Sequence, residues 1–212
     1  MQKEYRTVLK EGCAELEEKK SRFIANVRPV SSEEEAREFV AALKARYWNA
    51  SHNVYAWYIC GGSVLQKFSD DGEPSGTAGL PVLEAVKKLQ VQNLAVVVTR
   101  YFGGTLLGAA GLARAYGRSA ALGIEAAGII KRQLCVEVSI IVEYTLSGRV
   151  QSLIASKGIT PADTVYGQDV EIIVRIPVDE FEAFDALITE ATNARAIVAA
   201  GERTFVSTAD SG

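Results

Sequence analysis

Residues 94–127 read LAVVVTRYFGGTLLGAAGLARAYGRSAALGIEAA. The opening run, Leu94 to Arg100, is apolar and β-branched without polar alternation, the pattern of a central strand covered on both faces. It ends in Tyr101-Phe102-Gly103-Gly104, and a glycine- and alanine-rich helix is predicted over residues 108–127. Gly108, Ala109, Ala110, Gly111 and Ala113 present almost no side chain, so something packs or binds closely near the start of that helix.

Toward the N-terminus, Tyr5–Leu9 and Ser21–Val30 carry the alternation of strands. Ser32 followed by Glu35 is a capping box, and Ala36, Phe39, Val40, Leu43 and Tyr47 recur at helical spacing, which predicts a helix over 33–47. Asn53–Cys60 reads as an aromatic-rich strand, and Gly61-Gly62 turns the chain into another, Ser63–Phe68. SDDGEPSGTAG, residues 69–79, is a loop, and Pro81 suits the first turn of a helix ending near Leu89. Toward the C-terminus, strands are predicted at 133–144, 159–166, 169–177 and 194–206, with helices at 146–158 and 178–191. That order, β-α-β-β-α-β, is the ferredoxin-like pattern. The fold class is therefore α+β, with one domain over 1–135, a second over 136–206, and STADSG (207–212) as a frayed tail.

The chain has 212 residues, 48% apolar and 23% charged, a globular composition that excludes disorder. No apolar stretch approaches the ~20 residues of a membrane span. MQKEYRTVLKEG has charges without the apolar core of a secretory signal, so no membrane association and a cytoplasmic location are expected. Cys13, Cys60 and Cys135 are odd in number and widely spaced, which suggests neither disulfides nor a zinc site. Residues 1–135 hold 18 Lys+Arg against 14 Asp+Glu, a balance of +4; residues 136–212 hold 5 against 12, a balance of -7. Two units with different partners are expected from that shift.

Chemistry concentrates in two loops. SDDGEPSGTAG and RYFGGTLLGAAG each precede a helix, where backbone N–H groups and the helix dipole favour an anion such as phosphate; the alternative is that their glycines only allow tight turns. Arg100 and Arg114 flank the second loop and suit phosphate. Gly103 and Gly108 have the P-loop interval, but Ala109 stands where lysine is required, so this is not a P-loop. Asp70, Asp71 and Glu73 are hard-oxygen donors for a divalent cation, or acceptors within a turn, or charge partners that orient Arg100 or the basic run Lys19-Lys20-Ser21-Arg22. His52, the lone histidine, is either a general base or a hydrogen-bonding residue at a strand start. Loops 69–77 and 100–108 are expected on one edge, since both follow strands and lead into helices.

Four motifs taken together, KKSRFIA (19–25), SHNVYAWYI (51–59), SDDGEPSGTAGLPVLEAV (69–86) and VVVTRYFGGTLLGAAGLARAY (96–116), closely resemble the IMPACT family in its bacterial YigZ type. The match spans most of residues 15–125, and the C-terminal pattern resembles the small second domain of bacterial members. The resemblance implies an N-terminal domain with the fold of elongation factor G domain IV and a ferredoxin-like domain similar to domain V. It also implies a link to translation, because eukaryotic relatives restrain the kinase pathway that phosphorylates initiation factor 2. The sequence departs from the family at Leu107, where lysine is common, and at Ala110, where glycine is usual.

The leading expectation is a regulatory binding protein that engages the ribosome, RNA or a translation factor, with no cofactor and no metal. Its binding residues would be Lys20, Arg22, His52, Asp70, Asp71, Glu73, Ser75, Thr77, Arg100, Tyr101, Gly103, Gly104 and Arg114. Two alternatives stand beside it. One is an enzyme on a phosphorylated or nucleotide substrate, using loop 69–77 for metal or acid–base work and turn 100–108 for phosphate. The other is a regulator that binds protein alone.

Overall fold

The computed structural model describes residues 2–208. One unit, Tyr5–Lys131, takes β1 (Glu4–Val8), β2 (Gly12–Glu18), β3 (Ser21–Pro29), α1 (Glu33–Arg46), β4 (His52–Gly61), β5 (Ser63–Ser69), α2 (Gly79–Lys88), β6 (Leu94–Tyr101) and α3 (Ala109–Ala127). Its main sheet has the order β2-β3-β6-β4-β5 with every neighbouring pair antiparallel.

β6 is the middle strand, and its lack of alternation follows from burial on both sides. Leu94, Val96 and Val98 pack under α2 and α3 with Phe23, Val54, Val82 and Ile124. Ala95 and Val97 face α1, against Phe39, Leu43 and Trp57. Small residues bring α3 down onto the sheet: a Cβ on Gly123 would stand 2.9 Å from the Ala25 Cβ. At α1, the Ser32 hydroxyl accepts from the Glu35 N–H at 3.2 Å, while the Glu35 carboxylate reaches back to the Ser31 N–H at 2.8 Å, one residue beyond the usual reciprocal box.

β2 is a strand that the sequence reading omits. Cys13, Glu15 and Glu17 point outward while Ala14 and Leu16 turn in, so the glutamates that obscure its alternation are the charges that protect a sheet edge. Gly12 lets it lie on the end of α3, since a Cβ there would stand 2.4 Å from the Ala127 nitrogen. The β2–β3 hairpin turns through Lys19 and Lys20 alone, with φ of 46° and 65°. Both residues sit in the left-handed region of a type I′ turn, where Asn-Gly is the favoured pair. The unit closes on itself where Leu9 and Lys10 donate to the carbonyls of Gly128 and Ala127.

The other unit, Gln2–Glu4 with Arg132–Thr208, is built on β7 (Ile129–Val142), α4 (Tyr144–Ser156), β8 (Asp163–Tyr166), β9 (Val170–Pro177), α5 (Phe181–Thr192) and β10 (Ile197–Thr208). The sheet has five strands, along the path β1-β7-β9-β8 with β10 also paired to β7; its part β10-β7-β9-β8 is the ferredoxin-like arrangement, and β1 is an added strand. Val136, Val138, Ile140, Ile172 and Val174 line one sheet face beneath Val150, Ile154, Phe184 and Ile188. Between them on the strands stand Glu137, Ser139, Ile141, Glu171, Ile173 and Arg175, none of them aromatic. β10 continues through Ser207 and Thr208, so the expected tail is in part strand; its last four positions, 209–212, lie outside the described residues.

Candidate functional site

β5 and β6 both run antiparallel to β4, so they point the same way and release their loops at one edge, with β4 between them rather than as adjacent parallel strands. A buried ion pair joins the loops: Arg100 Nη1 lies 2.6 Å from Glu73 Oε1. Arg100 is 5% exposed and Glu73 8%. The same Glu73 oxygen accepts from the Tyr116 hydroxyl of α3 at 2.7 Å, and Arg100 Nη2 donates to Ser21 Oγ at 3.2 Å. Burial pushes the Tyr116 hydroxyl well above its ordinary pKa and the bond to Glu73 adds to that, so Tyr116 remains a donor. Arg100, expected as a phosphate contact, is instead a clamp between β6, β3 and the 69–79 loop. Its guanidinium also stacks between Phe23 and Phe102, 5.5 and 5.4 Å from their ring centroids.

The neighbouring acids are equally committed. Asp70 accepts from the backbone N–H groups of Gly76, Ala78 and Gly79 at 2.9, 3.0 and 2.8 Å. The anion expected at the start of α2 is thus the protein's own carboxylate. Burial works to raise the Asp70 pKa, but those three donors outweigh it and hold the carboxyl below its ordinary value. Asp71, at φ 47°, turns the other way. Its carboxylate meets Lys44 Nζ at 2.5 Å and the Asn53 N–H at 2.6 Å. His52 Nδ1 faces the Asp71 carbonyl at 2.9 Å and so carries the proton, which leaves Nε2 3.8 Å from Glu73 Oε2. Thr77 donates its hydroxyl to the Pro74 carbonyl at 2.7 Å, and Ser75 is exposed. Arg22 is held by the Glu15 carboxylate at 2.9 and 2.6 Å. The acidic loop therefore shapes the edge rather than offering ligands from it.

What the edge offers comes from the glycine loop and its neighbours. Gly103 rests on the Lys19-Lys20 turn so closely that a Cβ would stand 2.0 Å from the Lys20 carbonyl carbon. On its other side, the Phe102 N–H donates to Ser51 Oγ at 3.1 Å and the Tyr101 hydroxyl to Asn49 Oδ1 at 3.0 Å, fixing the α1–β4 turn that carries Trp48. Trp48 is 81% exposed, Leu106 82% and Phe102 49%. Gly104 and Gly108 have φ of 82° and 74°, and Gly108 starts α3 without a side-chain cap. Beside that start lies a groove of about 240 Å³ lined by Leu16, Glu18, Lys19, Leu107, Arg114 and Arg118. Lys19, Lys20, Arg114 and Arg118 are in no ion pair among the described residues.

Of the expected residues, Lys20, Tyr101, Gly103, Gly104 and Arg114 thus border the open surface. His52 is half-buried behind it, and Arg100, Asp70, Asp71 and Glu73 are its scaffold. Trp48, Arg118 and Tyr116 are absent from the sequence-based expectation, and Lys19 enters it only as part of the basic run 19–22. The i,i+4 spacing of Arg114 and Arg118 on one helical stripe was the available signal.

Among the described residues no helix is long and apolar enough to cross a membrane. The Impact N-terminal domain matches residues 19–124, and a domain of unknown function (DUF1949) matches residues 140–195. The IMPACT family member YvyE of Bacillus subtilis is 40% identical over 205 residues, covering 97% of this chain and 94% of its own length. Protein IMPACT of Mus musculus is 38% identical over 96 residues, 43% of this chain and 30% of the mouse protein. The crystal structure of a hypothetical protein superposes with a TM-score of 0.60 at 28% identity, covering 95% of this chain and 99% of that one. With the Impact N-terminal domain matched over residues 19–124, and a 40% identical relative aligned along nearly its full length, the chain belongs to the IMPACT family.

Proposed function

We propose that the protein is a translation-linked regulator whose first unit binds single-stranded RNA at the edge around the glycine loop. The observation that carries this reading is the pairing of exposed aromatics with cations in no ion pair among the described residues: Trp48 and Phe102 stand on the same loop system as Lys20 and Arg114. Aromatic faces stack bases of any identity and cations follow the phosphates, which together suit a single strand. The family's tie to translation supports the setting. In this reading the carboxylates of the 69–77 loop do no acid–base work, since each is engaged by protein donors. The second unit exposes Tyr144 and Tyr166 but is acidic overall, which disfavours phosphate, and in this reading it contacts protein instead.

The test is a titration of the whole protein with a short unstructured RNA at several salt concentrations. Affinity is expected to fall with log salt with a slope of about -0.7 per phosphate contacted. Lys20→Gln should lower both affinity and slope. Salt-independent binding, or none at low salt, overturns the proposal.

A further inference from the structure

We infer that the groove between the Lys19-Lys20 turn and the first turns of α3 holds a phosphomonoester, the terminal phosphate of a nucleotide or of an RNA chain. This rests on the RNA-binding reading above and specifies which phosphate is taken. Three features carry it.

The first is charge. Lys19, Arg114 and Arg118 line the groove, and its one carboxylate is Glu18. The sum, three minus one, leaves +2, which matches the dianion of a phosphomonoester and exceeds what a singly charged diester needs. None of the three cations is spent on an ion pair among the described residues, whereas Arg22, on the same hairpin, is fully engaged by Glu15. Arginine forks suit the several oxygens of a terminal phosphate.

The second is shape. The groove is a concavity of about 240 Å³ with Leu16, Leu107 and Ala115 among its walls, so it offers apolar surface for a sugar beside the cations. Gly111 keeps it open: a Cβ there would stand 3.1 Å from the Leu107 Cβ and crowd that wall.

The third is the contrast between the two helix starts. At α2, Asp70 takes the N–H donors of Ala78 and Gly79. At α3, Gly108 supplies no side-chain cap, so the dipole there adds to the field of the arginines instead of being spent on an internal acid. Glu18 sets the upper limit on charge, since a diphosphate or triphosphate would press further negative charge against it.

The experiment uses the full chain with four probes: AMP, and one octaribonucleotide carrying a 5′-phosphate, a 3′-phosphate or neither. The end-phosphorylated RNA is expected to bind roughly tenfold more tightly than the unphosphorylated form, the worth of one charge-assisted contact. Arg118→Gln should erase that advantage while leaving the unphosphorylated RNA within about twofold, and the variant, being at an exposed position, should keep the parent melting temperature. Trp48→Ala should weaken all three oligonucleotides alike. If the three bind equally, the groove inference falls and the RNA reading stands. If AMP binds and is lost in Arg118→Gln while no oligonucleotide binds, the groove inference stands with a free nucleotide as its ligand and the RNA reading falls. If no probe binds, both fall.

Discussion

Replacing Arg100 with alanine separates a clamp from a ligand contact. Arg100 is 5% exposed, and its guanidinium meets Glu73 at 2.6 Å. The substitution leaves the Glu73 carboxylate buried with only the Tyr116 hydroxyl at 2.7 Å and an imidazole nitrogen at 3.8 Å. Removing one member of a buried pair costs roughly 3–5 kcal/mol, most of it the penalty of the stranded charge. At roughly 4 °C per kcal/mol for a unit of this length, the melting temperature should fall by about 12–20 °C. Glu73→Gln strands the guanidinium in turn and should cost a comparable amount. Arg100→Ala combined with Glu73→Gln strands neither charge, so the pair should cost less than the sum of the singles by about 1–3 kcal/mol. Trp48 and Trp57 are the two tryptophans and both lie in the first unit, so intrinsic fluorescence follows its unfolding without contribution from the second. RNA affinity is then measured on the same variants well below their transitions. The reasoning is refuted if Arg100→Ala melts within about 2 °C of the parent while binding per folded molecule drops tenfold.

Trp48→Ala should leave stability within about 0.5 kcal/mol, because the ring is exposed, and weaken RNA binding by about 1–3 kcal/mol per base unstacked; calorimetry and titration read the two. Lys19→Asn with Lys20→Gly relieves two left-handed lysines, so the protein should gain about 1–2 kcal/mol in denaturant melts and lose RNA affinity together with part of its salt slope. Gly103→Ala drives a Cβ into the Lys20 backbone and should cost about 1–3 kcal/mol while displacing the loop, visible as weaker binding even when fully folded. Asp70→Ala should cost about 1–2 kcal/mol at neutral pH. Because the folded pKa of Asp70 is depressed, its contribution is fully present above the unfolded value near 3.8 and is lost as pH falls through the lower folded value; the stability gap to Asp70→Ala, followed from pH 7 downward, should close only in that acid range. A gap that stays constant into acid sinks this account of the cap.

The strands and helices were legible where one physical demand dominated. Leu94–Val98 had to be central, since no exposed face tolerates five apolar residues in succession. The period of two through Val136, Val138, Ile140 and Val142 likewise had one reading. β2 was hidden because its solvent face and its edge role both favour glutamate, and the run Glu15-Leu16-Glu17-Glu18 resembles a solvated segment more than a strand. A turn acceptor and a partner for Arg100 were both legible among Asp70, Asp71 and Glu73, and the structure gives the first role to Asp70 and the second to Glu73; which acid takes which was not legible. Positive φ at Asp71 and Gly72 sends three nearby carboxylates to three unrelated destinations, namely the α2 start, the β4 start and the core. Spacing along the chain carries no record of that divergence. Tyr116 was missed for a related reason: within a helix of alanine and glycine it reads as core, and only its hydroxyl, aimed at Glu73, makes it part of the clamp. Trp48 falls just past α1, where helical periodicity stops informing and exposure is set by the turn.

The closure of the first unit, where Leu9 and Lys10 meet the carbonyls of Gly128 and Ala127, bears on how the chain is made. Synthesis runs from the N-terminus, so those two donors emerge first and wait for acceptors that are almost the last part of the unit to appear. The β2–β3 hairpin forms early through its two-residue turn, yet the inner edge of β3 stays unpaired until β6 arrives. Throughout that interval the nascent unit is a hairpin with one open edge, guarded on its outer side by glutamates and unguarded on the side that β6 will take. Non-local pairings of this kind are slow to form, so completion comes as one late event rather than by accretion. A chain interrupted before Gly128 lacks the acceptors that lock its own beginning, and it is such fragments, more than the finished protein, that present a strand edge to the rest of the cell.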